Sequence, residues 1–217
     1  MRLRGFKQAG ALTLTLAMGL IAGCQAAGYV AHAVAGGDPP PVNVTAEYTG
    51  LDNRMVAVIV AAAPSLMYQH ASAQHEIGTA VSYAIADCVP GVKVVDPADM
   101  TAFRNANPYW TTAPYGELIE KLGVERLVVV DLHEFRLNEP GNSVMFRGVI
   151  NGTVEVVEAE SADPDTPVYS QLVTAAFPPN RPHGVPEANP ATIRKGAVDL
   201  FAMATAWKFC DHKEQRQ

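Results

Sequence analysis

Two short runs limit what this chain can fold into. Met55-Val56-Ala57-Val58-Ile59-Val60-Ala61 and Leu127-Val128-Val129-Val130 are apolar at every position rather than at alternate ones. A strand with one wet face alternates, whereas a strand covered on both faces reads as a continuous apolar run. Both runs are too short for a helix of ordinary length and are rich in β-branched residues. They therefore predict interior strands of a sheet with helices on each side.

The segments between them fit that expectation. Ile77, Val81, Ala84, Ile85 and Cys88 recur at helical spacing over 69–89, with Ser72 as a cap, and Pro90-Gly91 ends the helix. Val92 to Asp96 reads as a second short strand, 98–103 as a short helix, and 115–122 as a helix stopped by Gly123. Strand, helix, strand, helix, strand implies parallel pairing through right-handed crossovers. The pattern then changes. Phe146, Ile150, Val154 and Val156 alternate with polar Arg147, Asn151, Thr153 and Glu155, which marks an antiparallel strand with one wet face, and 168–177 returns as its hairpin partner. A closing helix over 191–211 starts at Asn189 with Pro190 in the first helical position. The expected class is α/β (α+β): a three-layer-like mixed sheet, parallel βαβαβ first, then an antiparallel hairpin and a C-terminal helix.

The amino terminus carries an address. Arg2, Arg4 and Lys7 precede an apolar stretch, Ala11 to Ala22, of roughly a dozen residues, short of the ~20 needed to span a bilayer. Branched Ile21, then small Ala22 and Gly23, stand directly before Cys24, which resembles the bacterial lipobox. The resemblance implies cleavage between Gly23 and Cys24, diacylglycerol on the Cys24 sulfur and an acyl chain, such as palmitate, on its amino group. Several chains hold a protein at a membrane where one does not. An ordinary secretion signal with an incidental Cys24 is the alternative. Gln25, by resemblance to the sorting rule of enteric bacteria, favours the outer membrane, on its periplasmic face. The expected division is 1–23 signal peptide, 24–45 lipidated cysteine and Pro/Gly/Ala-rich tether, 46–211 one domain and 212–217 a polar tail.

The whole chain of 217 residues has net charge −6, and the mature chain is more acidic once three basic residues leave with the leader. Such a surface repels nucleic acid and anionic headgroups, so no nucleic-acid partner is expected and attachment falls to the lipid on Cys24. Cys88 and Cys210 remain, each near the carboxyl end of an expected helix. Parallel packing of those helices brings the two together as a disulfide outside the cytoplasm; two buried thiols are the alternative. Neither has a His at ligand spacing, and no metal or cofactor is expected.

Taken together, the lipobox and tether, Tyr48-Thr49-Gly50-Leu51 ahead of Val56-Ala57-Val58-Ile59, Gly91-Val92-Lys93-Val94-Val95-Asp96, Leu122-Gly123-Val124 and the late hairpin resemble the curli-secretion lipoproteins, the penicillin-binding-protein activator lipoproteins and the Tol-system amino-terminal domain. The resemblance implies an envelope protein that assembles with others, including as a homo-oligomer. No pair of long amphipathic membrane hairpins is present, which departs from the pore-forming members.

Chemistry-bearing motifs are sparse. His75-Glu76 has no second His four residues after the first, as a zinc-protease helix requires, and no Gly-x-Ser-x-Gly elbow occurs. Asp131 and His133 alternate onto one strand face with Phe135 and are the candidate acid–base pair. Tyr109 and Trp110, on a Pro/Asn-rich loop, are the candidate partner contact, with Trp110 as sheet cover the alternative. Gly148 and Gly152 suggest bulges. Three functions follow: a non-enzymatic accessory or scaffold lipoprotein binding another envelope protein, an enzyme using Asp131 and His133, or a ring-forming secretion component.

Overall fold

A computed structural model describes residues 41–214. The expected leader, Gly23, the expected lipidation site Cys24, most of the expected tether and the last three residues lie outside the described residues. The chain divides into two compact units, Val44–His212 and a unit of Met1–Asn43 with Lys213–Gln217. β1 (Val42–Val44) and β8 (His212–Glu214) pair as a two-stranded ribbon. The expected tether and polar tail thus each contribute a strand. Their pairing joins residues far apart in the chain, and no local periodicity announces it.

The larger unit is built on a mixed sheet. β2 (Met55–Ala62) lies between β3 (Lys93–Val94) and β4 (Arg126–Asn138), parallel to both. β5 (Met145–Glu158) and β6 (Tyr169–Phe177) follow antiparallel, and the short β7 (Val185–Pro186) pairs with the start of β5. The order β3-β2-β4-β5-β6 is the parallel half followed by the hairpin half.

Alternate residues of the apolar runs enter two separate cores. Val56, Val58 and Val60 of β2, with Val128, Val130 and Leu132 of β4, face α2 (Ala73–Cys88) and α5 (Pro190–Ala206), meeting Ile77, Val81, Ile85 and Phe201. Ala57, Ile59, Leu127 and Val129 face the other way. They pack on α3 (Pro97–Ala106), a 3-10 turn at Trp110–Thr112 and α4 (Tyr115–Leu122), through Met100, Trp110, Leu118 and Ile119. The parallel half is thus three layers deep. The short α1 (Pro64–Gln69) links β2 to α2.

Helix ends follow local chemistry. Asp96 Oδ1 accepts from the Ala98 N–H at 2.7 Å and Asn189 Oδ1 from the Ala191 N–H at 2.9 Å, each followed by Pro at the first helical position. Gly123 closes α4 in the left-handed region at φ 63°. Ser72 stands at the cap position of α2 but makes no capping bond, and its Oγ accepts instead from Arg194 Nη2 at 3.0 Å.

Two expectations need correction. α5 ends at Ala206, not at Asp211, because the chain turns so that the Lys208 carbonyl can accept from the Glu47 and Tyr48 N–H groups at 2.9 and 3.1 Å. The register does slip at Gly148: Arg136 pairs with Val149 and Asn138 with Phe146, so β5 carries the extra residue there. A Cβ at Gly148 would sit 2.6 Å from the Ala197 Cβ and 3.0 Å from the Ile193 carbonyl oxygen, so glycine also lets α5 settle onto β5. A second irregularity lies on β4, between Leu132 and Glu134, opposite Gly152. It shifts the alternation, so Leu132 and Phe135 share the α2/α5 core while Asp131 and His133 are exposed; Phe135 does not share their face.

Gly148→Ala is expected to destabilise the domain by about 1–3 kcal/mol through overpacking against backbone that cannot swing away. A lowered urea midpoint with an unchanged slope is the measurement that checks it.

Candidate functional site

Among the described residues, the antiparallel half carries helices on one side only. On its other side Asp131 and His133 of β4, Asn151, Thr153 and Glu155 of β5, and Ser170, Leu172 and Thr174 of β6 form an open face next to α4. His133 Nε2 lies 2.7 Å from Thr153 Oγ1. Ser170 Oγ donates to Glu155 Oε1 at 3.3 Å, and Tyr115 Oη reaches Glu155 Oε2 at 3.5 Å. Burial raises the Tyr115 pKa first, and the negative charges of Glu155 and Asp131 add to it. No hydrogen bond joins Asp131 to His133 among the described residues. Chemically the face offers one imidazole–hydroxyl contact and two solvated carboxylates. Leu172 stands among them 60% exposed.

The aromatic loop splits. Trp110 is 9% exposed and packs in the α3/α4 core, so its ring covers the sheet and is not free for a partner; Tyr109, at 82%, projects outward. The structure brings Cys88 and Cys210 together as a disulfide, with Cα atoms 5.9 Å apart and a sequence separation of 122. Among the described residues no group of three or more His, Cys, Asp or Glu could hold a metal, and no helix is long and apolar enough to cross a membrane.

The densest polar network has no motif in the sequence to mark it. Arg126, at the start of β4, is 3% exposed, yet it donates through Nη1 and Nη2 to Glu160 at 2.6 Å each and through Nε to the Gly50 carbonyl at 2.9 Å. Glu158 lies 3.6 Å from its Nε and accepts from Tyr48 Oη. Arg54 bonds Glu125 at 2.6 Å. Burial opposes the charge on Arg126, but the carboxylates around it win and hold its pKa above the usual value. Glu160, bonded by Arg126, is pulled down to about 2. Beside this network Tyr48, Tyr169 and Phe209 stack edge-on, Glu47 binds Lys208 at 2.6 Å, and Tyr169 donates to Glu47 at 2.9 Å. The one available signal is an arginine opening an apolar strand, because a charge at such a place needs a partner.

No family model matches the chain, and no curated relative matches it. Its fold is similar to solved structures at low identity. The PelC dodecamer from Paraburkholderia phytofirmans has TM-score 0.46 and 11% identity over 82% of this chain and 98% of that one. The lipoprotein GNA1162 from Neisseria meningitidis has TM-score 0.45 and 9% identity over 68% and 97%. Protein XCC0632 from Xanthomonas campestris has TM-score 0.36 and 13% identity over 78% and 92%. At these scores and identities the likenesses carry no argument about what this chain binds or does.

Two outcomes are expected. Replacing both Cys88 and Cys210 by Ala lowers stability by roughly 2–5 kcal/mol, read by denaturant midpoints, and removes a mobility difference between reduced and non-reduced gels. Because the folded pKa of Glu160 is depressed, its stabilising contribution is present above the ordinary carboxylate value of 4.5 and is lost as pH falls through about 2. Glu160→Gln is expected to flatten that part of the acid-unfolding profile.

Proposed function

We propose that the chain is a lipid-anchored envelope lipoprotein whose α+β domain works as a non-enzymatic accessory, binding another envelope protein in assembly or maintenance. Leader, lipobox and tether support the anchor, on the outer membrane's periplasmic face. The observation that carries the docking reading is the one-sided hairpin half. Its open face presents exposed Leu172 amid hydroxyls and carboxylates, and β6, a nine-residue strand without a single charge, borders it as an edge strand. Proteins ordinarily blunt such an edge with charges, proline or cover. A strand left bare is suited to pairing with an extended segment of a partner.

An enzyme is the second reading, favoured by the His133–Thr153 contact, which has the form of a base beside a hydroxyl. Both side chains lie on an exposed strand face, where water competes for every bond. The accessory reading asks for no such chemistry.

A photo-crosslinking residue at Leu172, compared with one at Tyr109 in intact cells, tests the proposal. A discrete adduct with one envelope protein from position 172 is expected. Adducts only with lipid, or none from that face, would overturn it, and adducts only with this chain would favour a ring instead. Mass spectrometry of the native amino terminus should show Cys24 as the first residue, carrying acyl chains; an uncut leader would remove the anchor.

A further inference from the structure

A second feature, independent of the open face, lies where β3 stops short. β3 pairs only with Met55 and Val56. Lys93 N–H donates to the Arg54 carbonyl at 2.8 Å and Val95 N–H to the Val56 carbonyl at 2.9 Å, while Met55 turns its carbonyl to Glu125 on the β4 side. Backbone groups of alternate strand residues point the same way. Val58 and Val60 therefore aim their N–H and C=O past the end of β3, where, among the described residues, no strand meets them. Helices α2 and α3 close over this gap and leave a slot of about 10 Å³ between themselves and β2, room for one water-sized group.

The slot's polar lining combines hydroxyls and a guanidinium with the N–H and C=O groups of the β2 edge. Thr79 Oγ1, from α2, is shielded from solvent and has no hydrogen-bond partner. Ser82, one helical turn on, is also buried. Arg104 of α3 lines the same slot, half-buried, and among the described residues no carboxylate lies within 4.0 Å of it; its side-chain contact is Gln74 Oε1, at the outer limit of 3.5 Å. The other part-buried arginines differ: Arg126, Arg136, Arg147 and Arg194 each face a glutamate. Desolvation without a counter-charge lowers the Arg104 pKa. No acidic side chain lines the slot. A shielded hydroxyl, strand N–H groups without a ladder and a guanidinium without an anion each cost free energy until something satisfies them.

We infer that this slot is a carboxylate-binding site, in which Arg104 pairs with the anion and Thr79 with the bare edge of β2 receives one of its oxygens. Charge and size select the class. A single guanidinium matches a monoanion, its fork fits the two oxygens of a carboxylate, and the narrow slot admits one of them. The carboxylate comes either from a small organic acid or from the carboxyl end of a peptide.

The test uses the full-length protein, ¹⁵N-labelled and solubilised in detergent, with sodium acetate added at constant ionic strength against sodium chloride. Saturable shifts of the Val60 and Thr79 amides and of the Arg104 Nε–H are expected in acetate only. Arg104→Gln should weaken the response about tenfold or more, the loss of a charge-assisted bond. Thr79→Val, which keeps the shape and removes the buried hydroxyl, should weaken it with the fold intact. A short peptide with a free carboxyl end, set against its amide, separates the sources: a response to the free acid but not the amide supports a peptide end, and a response to acetate alone supports a small acid. No saturation in acetate, equal saturation in chloride, or an unchanged response in a folded Arg104→Gln would overturn the proposal.

Discussion

The pairing of β2 with β4 is the constraint from which the architecture follows. Seven consecutive residue pairs, Val56 with Arg126 through Ala62 with Leu132, run in parallel register, and nearly every side chain on the ladder is shut away from water. A strand pair apolar on both faces cannot sit at a surface, so it demands a cover on each side, at roughly 25 cal/mol for every Å² of apolar area removed from water. α2 and α5 supply one cover and α3 with α4 the other. The even and odd residues of one strand thereby nucleate two cores that share only the sheet.

Elements whose signal is local are legible in the sequence. Continuous apolarity marks β2 and β4, strict alternation marks β5, and Gly123 and Asn189-Pro190 mark helix ends. Elements that depend on a distant partner are not legible there. The ribbon of β1 and β8 joins opposite ends of the chain. The early end of α5 answers to a carbonyl required by Glu47 and Tyr48. The bulge beside His133 is invisible because Asp131, Leu132, His133 and Glu134 alternate as a regular strand would.

The candidate sites are readable to a similar degree and for the same reason. Alternation puts Asp131 and His133 on one face, but Thr153, the hydroxyl that meets His133, comes from another strand. Tyr109 and Trp110 adjoin in sequence, yet the 3-10 turn sends one ring inward and the other into solvent. The network around Arg126 gathers Tyr48, Gly50, Glu158 and Glu160 from separate stretches, a convergence that only the folded chain displays. Its net benefit depends on complete bonding, since an arginine this deeply buried would be costly with any carboxylate missing.

The main chain enters and leaves the larger unit at adjoining points. The Ala46 N–H bonds Asp211 and the Glu47 N–H bonds Lys208, so the first and last turns of this unit touch. Ends this close make the order of the elements along the chain a matter of history rather than of packing. A version stitched at this junction and opened in the Pro140-Gly141 turn would retain the pairings that hold β2 to β6.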